Sequence, residues 1–394
     1  GSWRSADLHV HMNYGGHYRN TPEYLLQQAK AEDLNVVHNL IVNKEERVPD
    51  IAYFQAMADK ASDSNTVIWH GQEFHTSFWG HLGLLNLNSH FLTPDFASYR
   101  HTALASPYPH NGVIADLAHQ QLALVGYVHP FDWPIVPENE IKLSHMLPAD
   151  AINGKVDYLE VVSFADHIAT AEVWYKLLNL GIKVPAGAGT DAMANYASLR
   201  GPVGMNRIFL NTDSISKTDI NNSIREGRSF VTNSALLGLH INGKSPGDTV
   251  SGQAMQKVKI DVSMRSISVM SKLELVQNGK VLKSFELPEA AKNYDASIEL
   301  ELQHDGWIIL RAYNNQAQKE ILDIYPYATT NPIWLEQFGA KPVKKQDAEY
   351  FMRWLDRVLD ATKQRQADFN TPQEFQDTMD YIQQARDAYG VLSQ

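Results

Sequence analysis

The sequence predicts an α/β fold with two additions: a small antiparallel β-sandwich and a C-terminal helical segment. Three observations carry this. Short apolar runs alternate with amphipathic stretches over residues 1–234, the pattern of a parallel sheet or barrel. Near residue 235 the pattern changes to apolar–polar alternation broken by turn residues, as in an antiparallel sandwich. Two long stretches with helical spacing close the chain. The predicted domains are therefore 1–234, 235–325 and 326–394, the last an irregular connection over 325–334 followed by helices.

The elements follow in order. Asp7-Leu8-His9-Val10-His11 reads as a strand with both imidazoles on one face, because side chains alternate along a strand. Asn13-Tyr14-Gly15-Gly16-His17 is a loop. Thr21-Pro22-Glu23 opens a helix, with a cap, a proline in the first turn and an acid near the positive dipole end. Residues 34–42 predict a buried strand, 51–61 a helix, 66–69 and 82–87 strands. A helix over 111–122 precedes a strand over 123–128 that ends at His129-Pro130. A strand over 157–162 runs into Ser163-Phe164-Ala165-Asp166-His167. A helix over 169–180 and a strand over 182–186 lead to Gly187-Ala188-Gly189-Thr190-Asp191, whose glycines let the backbone come close to a ligand. In the second part, Asn278-Gly279 marks a hairpin turn. Phe351, Leu355, Val358 and Leu359 give one helix its apolar face. Thr371-Pro372-Gln373-Glu374 starts the last helix with a capping box.

Of 394 residues, 34 are Lys or Arg and 45 are Asp or Glu, a formal charge of −11. That balance argues against a general nucleic-acid or anionic-membrane binder, so the expected partner is a small-molecule substrate, with no nucleic acid, no membrane and an open oligomeric state. No apolar run reaches transmembrane length and no signal peptide is visible. The opening Gly1-Ser2 reads as a cloning scar, so the expectation is a soluble chain whose untrimmed parent could be periplasmic or extracellular. Cysteine is absent, which excludes a disulfide framework, a thiolate zinc site and a cysteine nucleophile. A metal would have to be held by imidazole and carboxylate, and 16 histidines make that feasible.

His9 and His11 are half of such a site, since neutral imidazole is the commonest protein metal ligand. Glu73, His81, His129 and Asp191 each fall at or just after a predicted strand, the end at which α/β barrels carry their sites. Every one has a plainer reading: a strand polar, a salt-bridge partner, a helix cap. His75, two residues after Glu73, rivals His81 as a ligand. His167 is a candidate general acid or, equally, a cap on its helix. Arg200, His75 and Tyr14 are candidate substrate contacts, with Asn195 and Tyr196 near the mouth and Trp79 and Trp133 as apolar walls. His119 reads as helix packing.

Taken together, Asp-Leu-His-Val-His, Glu73, Gly80-His81-Leu82, His129-Pro130 and Gly189-Thr190-Asp191 resemble the polymerase-and-histidinol-phosphatase (PHP) superfamily, and within it the CehA/McbA branch of hydrolases. The resemblance covers about residues 6–210. It implies a distorted seven-stranded β/α barrel with one or two divalent ions (zinc, manganese or iron) at its C-terminal mouth. His9, His11, Glu73 and Asp191 would hold one ion. Glu73 would bridge to a second, completed by His81 and His129, and Asp7 would orient a histidine ring. The implied chemistry is hydrolysis by a metal-bound water, with Asp191 positioning or deprotonating it and His167 protonating the leaving group.

The chain also departs from that pattern. Where the superfamily often carries Asp-His, it has Leu40-Ile41-Val42-Asn43; where Asp-x-His is usual, it has Asp191-Ala192-Met193. His17 alone stands at the first-loop position of a further ligand. A thioether is a poor ligand for a hard divalent ion, so a third ion is expected to be absent or replaced by a side chain. This favours ester, amide or carbamate substrates over phosphoesters. A phosphoesterase on the same site and a non-catalytic carbohydrate- or partner-binding protein are the alternatives.

Overall fold

The structure, a computed structural model, describes residues 2–15, 17–42, 48–91, 97–140, 142–322, 325–342 and 344–394, of which 48 and 49 by backbone alone. The first part runs β1 (Trp3–His11), α1 (Pro22–Ala31), β2 (Val36–Ile41), α2 (Val48–Ile51), β3 (Val67–Phe74), β4 (Leu82–Leu85), α3 (Asn111–His119), β5 (Leu124–Tyr127), α4 (Leu147–Ile152), β6 (Tyr158–Val162), α5 (His167–Asn179), β7 (Ala186–Ala188), β8 (Ala192–Met193), β9 (Arg207–Asn211), α6 (Lys217–Arg225) and β10 (Ser229–Thr232). The second comprises β11 (Ala235–Ile241), β12 (Thr249–Ser251), β13 (Gln256–Ser266), β14 (Lys272–Gln277), β15 (Lys280–Ser284), β16 (Asn293–Leu302), β17 (Gly306–Tyr313), β18 (Tyr327–Thr330) and β19 (Ile333–Glu336). Two long helices follow, α7 (Lys345–Lys363) and α8 (Pro372–Leu392).

Thirteen strands form one curled path, β12-β19-β17-β18-β10-β9-β1-β2-β3-β4-β5-β6-β7, and β11-β13-β16 form a separate antiparallel sheet. The curl turns back on itself at the top, where β8 pairs in parallel with β1 through Val10↔Ala192 and His11↔Met193. The fold is thus mixed α/β, with a second small sheet and C-terminal helices. The first part is not wholly parallel. β4 runs against both β3 and β5, because residues 75–81 are too few for the crossover that a parallel neighbour needs.

Two further expectations are corrected. No helix spans 51–61: α2 ends at Ile51 and turns follow. Tertiary bonds hold that stretch instead. Asp59 N–H donates to Ile68 O, and Asp59 Oδ2 lies 2.7 Å from His70 Nε2, which outweighs local helix preference. The connection expected to be irregular over 325–334 instead contains β18 and the start of β19. β18 pairs with β10 on one side and β17 on the other, so hydrogen bonding runs unbroken across residue 234.

One buried cluster joins Leu8, Leu40, Leu84, Tyr127, Tyr158 and Trp174, among others. Tyr158 lies where β4, β5 and β7 present glycines. A Cβ at Gly83, Gly126 or Gly187 would meet its side chain at 2.6, 2.1 and 2.6 Å. A second core lies between the small sheet and the far end of the curled one, with Leu239, Ile260, Leu275 and Leu310 at its centre. The hairpin turn is as expected, with φ of 51° at Asn278 and 81° at Gly279. α8 opens with the full Thr371–Glu374 capping box. The last helices fasten loops and α4 of the first part: Trp354 Nε1 donates to His145 O, Tyr350 Oη to Ile135 O and Tyr381 Oη to Asp150 Oδ1. Among the described residues no helix is long and apolar enough to cross a membrane.

Candidate metal centre

The centre starts from an irregular step in β1. Between Asp7 and Val10 that strand advances three residues while β2 advances two, from Val37 to Asn39. The extra residue is a β-bulge. Leu8 packs with the interior, whereas Val10 joins α1 and Ile68 on the outer side. Above the bulge His9 and His11 turn inward, their Nε2 atoms 3.1 Å apart.

Other strands bring the remaining side chains to the same place. Glu73 stands near the end of β3, and the short antiparallel return puts His81 at the start of β4 beside it. Glu73 Oε1 lies 3.0 Å from His81 Nδ1 and 3.2 Å from His129 Nε2; its Oε2 lies 3.2 Å from His11 Nε2 and 3.7 Å from His9 Nε2. One carboxylate therefore faces two imidazole pairs. Asp191 Oδ1 lies 2.9 Å from His11 Nε2 and 3.4 Å from His9 Nε2. His129 and Asp191 both have left-handed backbone, φ 31° and 56°, a conformation that costs non-glycine residues of order 1–3 kcal/mol and clusters at functional sites. Ligand atoms of His9, His11, Glu73 and Asp191 lie within 4.8 Å of one another, as do those of Glu73, His81 and His129.

The donor set fits divalent cations. His11 Nδ1 is 2.7 Å from Leu40 O, so that nitrogen carries the proton and Nε2 offers its lone pair to the centre. Asp191 Oδ1 is buried with no aligned donor among the described residues. Lone pairs thus converge on one point, an arrangement that protons or cations relieve. The electrostatics agree. Burial alone would lower the His9 pKa, but Asp191 and Glu160 outweigh it and hold it well above 6.5. His11 is likewise raised, against burial, by Asp191 and Glu73. Burial would raise the carboxylates, yet the surrounding imidazoles keep Glu73 well below its usual range and Asp191 at about 2. A buried His9, His11, Glu73 and Asp191 group of this kind could hold a metal ion.

The other candidates fall on either side of the centre. Tyr14 lies over His11, ring centroids 5.1 Å apart. His75 packs on His81 at 3.6 Å and is not among the converging atoms of the described residues. Arg200 Nη1 is 2.8 Å from Asp191 Oδ2 and 3.9 Å from Met193 Sδ, and its guanidinium covers the Phe164 ring at 4.9 Å. His167 is not brought to the centre by any described contact. Its Nε2 faces Asn233 at 3.4 Å, its ring packs on Tyr325 and Tyr327, and burial lowers its pKa to about 4. His17 is exposed, and Asn43 and Gly16 lie outside the described residues. His119 faces Asp157 at 2.8 Å. Asp7 does not orient a ring. Its oxygens accept backbone N–H groups from His9, Thr190 and Gly204, tying three segments together under the centre.

Sequence reading missed Glu160. It is wholly buried, with Oε1 3.3 Å from His9 Nδ1 and Oε2 accepting the His129 N–H at 3.0 Å. The available signal was a carboxylate in the middle of the apolar run Tyr158-Leu159-Glu160-Val161-Val162, since acids are almost never fully buried without a partner. Gly189, read as room for a ligand, makes room for the protein: a Cβ there would stand 2.3 Å from His9 Cβ and 2.5 Å from Glu160 Oε1.

No family model and no curated protein matches the chain. Among solved structures it is similar to Endonuclease Q in complex with a 27-mer duplex substrate bearing an abasic lesion at the active site, at a TM-score of 0.37 and 15% identity, covering 57% of each chain. That finding corrects the expectation of no nucleic acid, which rested on net charge alone. A sum over 394 residues does not describe the local field at any one part of a surface.

Proposed function

We propose that the chain is a metal-dependent hydrolase acting at an ester, amide or carbamate carbonyl, on a distorted PHP-type barrel. The single observation that carries this reading is Glu73, whose two oxygens each face an imidazole pair, so that this carboxylate and the two pairs would hold two cations. When bound, such ions polarise a carbonyl oxygen and lower the pKa of water.

The chain's own residues do the rest. Asp191, kept anionic by the surrounding imidazoles, presents Oδ1 as the acceptor for a proton leaving water. Arg200 holds Asp191 Oδ2 and stands beside Met193, so a fixed side-chain cation takes the place where a further ion would otherwise need a histidine. Its guanidinium, partly exposed between Phe164 and Tyr14, is the group that meets a substrate oxygen entering the mouth. Tyr14 shields His11 from bulk water, and His75 braces His81. Buried and neutral, His167 has no proton to give near neutral pH, and this mechanism does not use it.

The test compares chelator-stripped and metal-reloaded protein on nitrophenyl carboxylic esters, carbamates and phosphates, with metal content measured in parallel. The expected result is turnover of esters or carbamates that appears only with metal. Equal rates with and without metal would refute the mechanism. Turnover of the phosphates alone would replace it with phosphoester hydrolysis.

A further inference from the structure

We infer that Glu160 is the positioning residue of this centre: it fixes the His9 tautomer and the His129 backbone with one carboxylate, and so holds both imidazole groups in register. This rests on the reading of the centre as a metal site. A histidine can bind a cation through Nε2 only if Nδ1 carries the proton, and the acceptor at Nδ1 decides that. For His11 the acceptor is Leu40 O. For His9 the nearest acceptor is Glu160 Oε1, at 3.3 Å, a close contact short of hydrogen-bond alignment, and neither atom has a hydrogen-bond partner among the described residues. Both side chains are fully buried, so no solvent competes.

The second oxygen does a different task. Oε2 accepts the N–H of His129, the residue whose φ of 31° turns its ring toward Glu73. β6 therefore supplies a link between β1 and the end of β5, and through them between the two groups that Glu73 bridges. Gly189 is part of the same arrangement, since any larger residue would displace both Glu160 Oε1 and the His9 side chain. An amide cannot replace the carboxylate here. Glutamine has one acceptor oxygen for two donors, and its NH2 would face either the Nδ1–H or the His129 N–H.

The experiment titrates wild-type and Glu160→Gln protein with Co(II), following the visible absorption bands, and with Zn(II) by competition against a chromophoric chelator. Glu160→Gln should bind about 10–100-fold more weakly, with altered Co(II) bands and a metal-free circular dichroism spectrum that matches the wild type. Wild-type affinity and bands in Glu160→Gln would overturn the inference. Should the variant not fold, nitrogen-15 spectra of the wild-type imidazoles decide: His9 protonated at Nδ1 in the Zn(II) form supports the assignment, and at Nε2 refutes it. Wild-type protein that binds neither metal would instead refute the reading of the site itself, so the two failures are distinct.

Discussion

Replacing Glu73 by glutamine removes one charge and keeps nearly the same shape. Four imidazole nitrogens lie 3.0–3.7 Å from its oxygens, so cations seated among them would be within about 4 Å of the carboxylate. At an effective dielectric of about 20, two unit charges at that separation interact by about 4 kcal/mol. Taking half of that to allow for the cost of burying the carboxylate leaves about 2 kcal/mol, or roughly 30-fold in affinity. Glu73→Gln should therefore bind its metal at least about 30-fold more weakly, and should fall below one ion per chain after dialysis against a weak chelator. Elemental analysis gives the stoichiometry, chelator competition the affinity, and circular dichroism the state of the fold. A folded variant that keeps the wild-type metal content and affinity would refute the argument that this carboxylate is shared between two cations.

Other perturbations probe the scaffold and the mouth. Burial pushes Asp150 from 3.8 up to about 7, with Tyr127 and Tyr381 only partly opposing it. Its neutral form is therefore favoured in the fold, a contribution of up to about 4 kcal/mol that is complete below about pH 4 and lost as pH rises through 7. Melting temperature should fall between pH 5 and 8, less steeply in Asp150→Asn, and equal slopes would contradict this. Gly126→Ala drives a methyl into the Tyr158 ring, and chemical denaturation should show a loss of about 1–3 kcal/mol. Arg200→Met should keep the metal content while lowering kcat/KM by about tenfold, the scale of one lost charged hydrogen bond; an unchanged kcat/KM would remove Arg200 from substrate contact.

The sequence made the ends of strands legible, and the reason is chemical. A polar or charged residue that closes an apolar run is conspicuous, and His9, His11, Glu73, His129 and Asp191 all have that setting. Helices with caps were equally plain, as Thr21 and Thr371 show. What stayed hidden depends on partners far along the chain. The 51–61 stretch has helical spacing but spends its polar groups on β3. Residues 325–334 look irregular until β10 and β17 lie beside them. Glu160 sits inside a strand rather than at its end, and its role becomes visible only when His9 and His129 are brought against it. The reversal of β4 follows from a short connection, a count that the sequence contained.

The bulge in β1 has a consequence for anyone who would shorten, graft or redesign this chain. Straightening the step between Asp7 and Val10 into an even pleat, with every residue kept, would let the strand satisfy its core or its imidazoles, but not both. With Leu8 kept inside, His9 and His11 would swing out toward α1 and leave Glu73 facing an apolar wall. Transplanting the His-x-His motif to an ordinary strand would meet the same conflict, so the portable unit is the kinked strand together with the neighbour that accommodates its extra step.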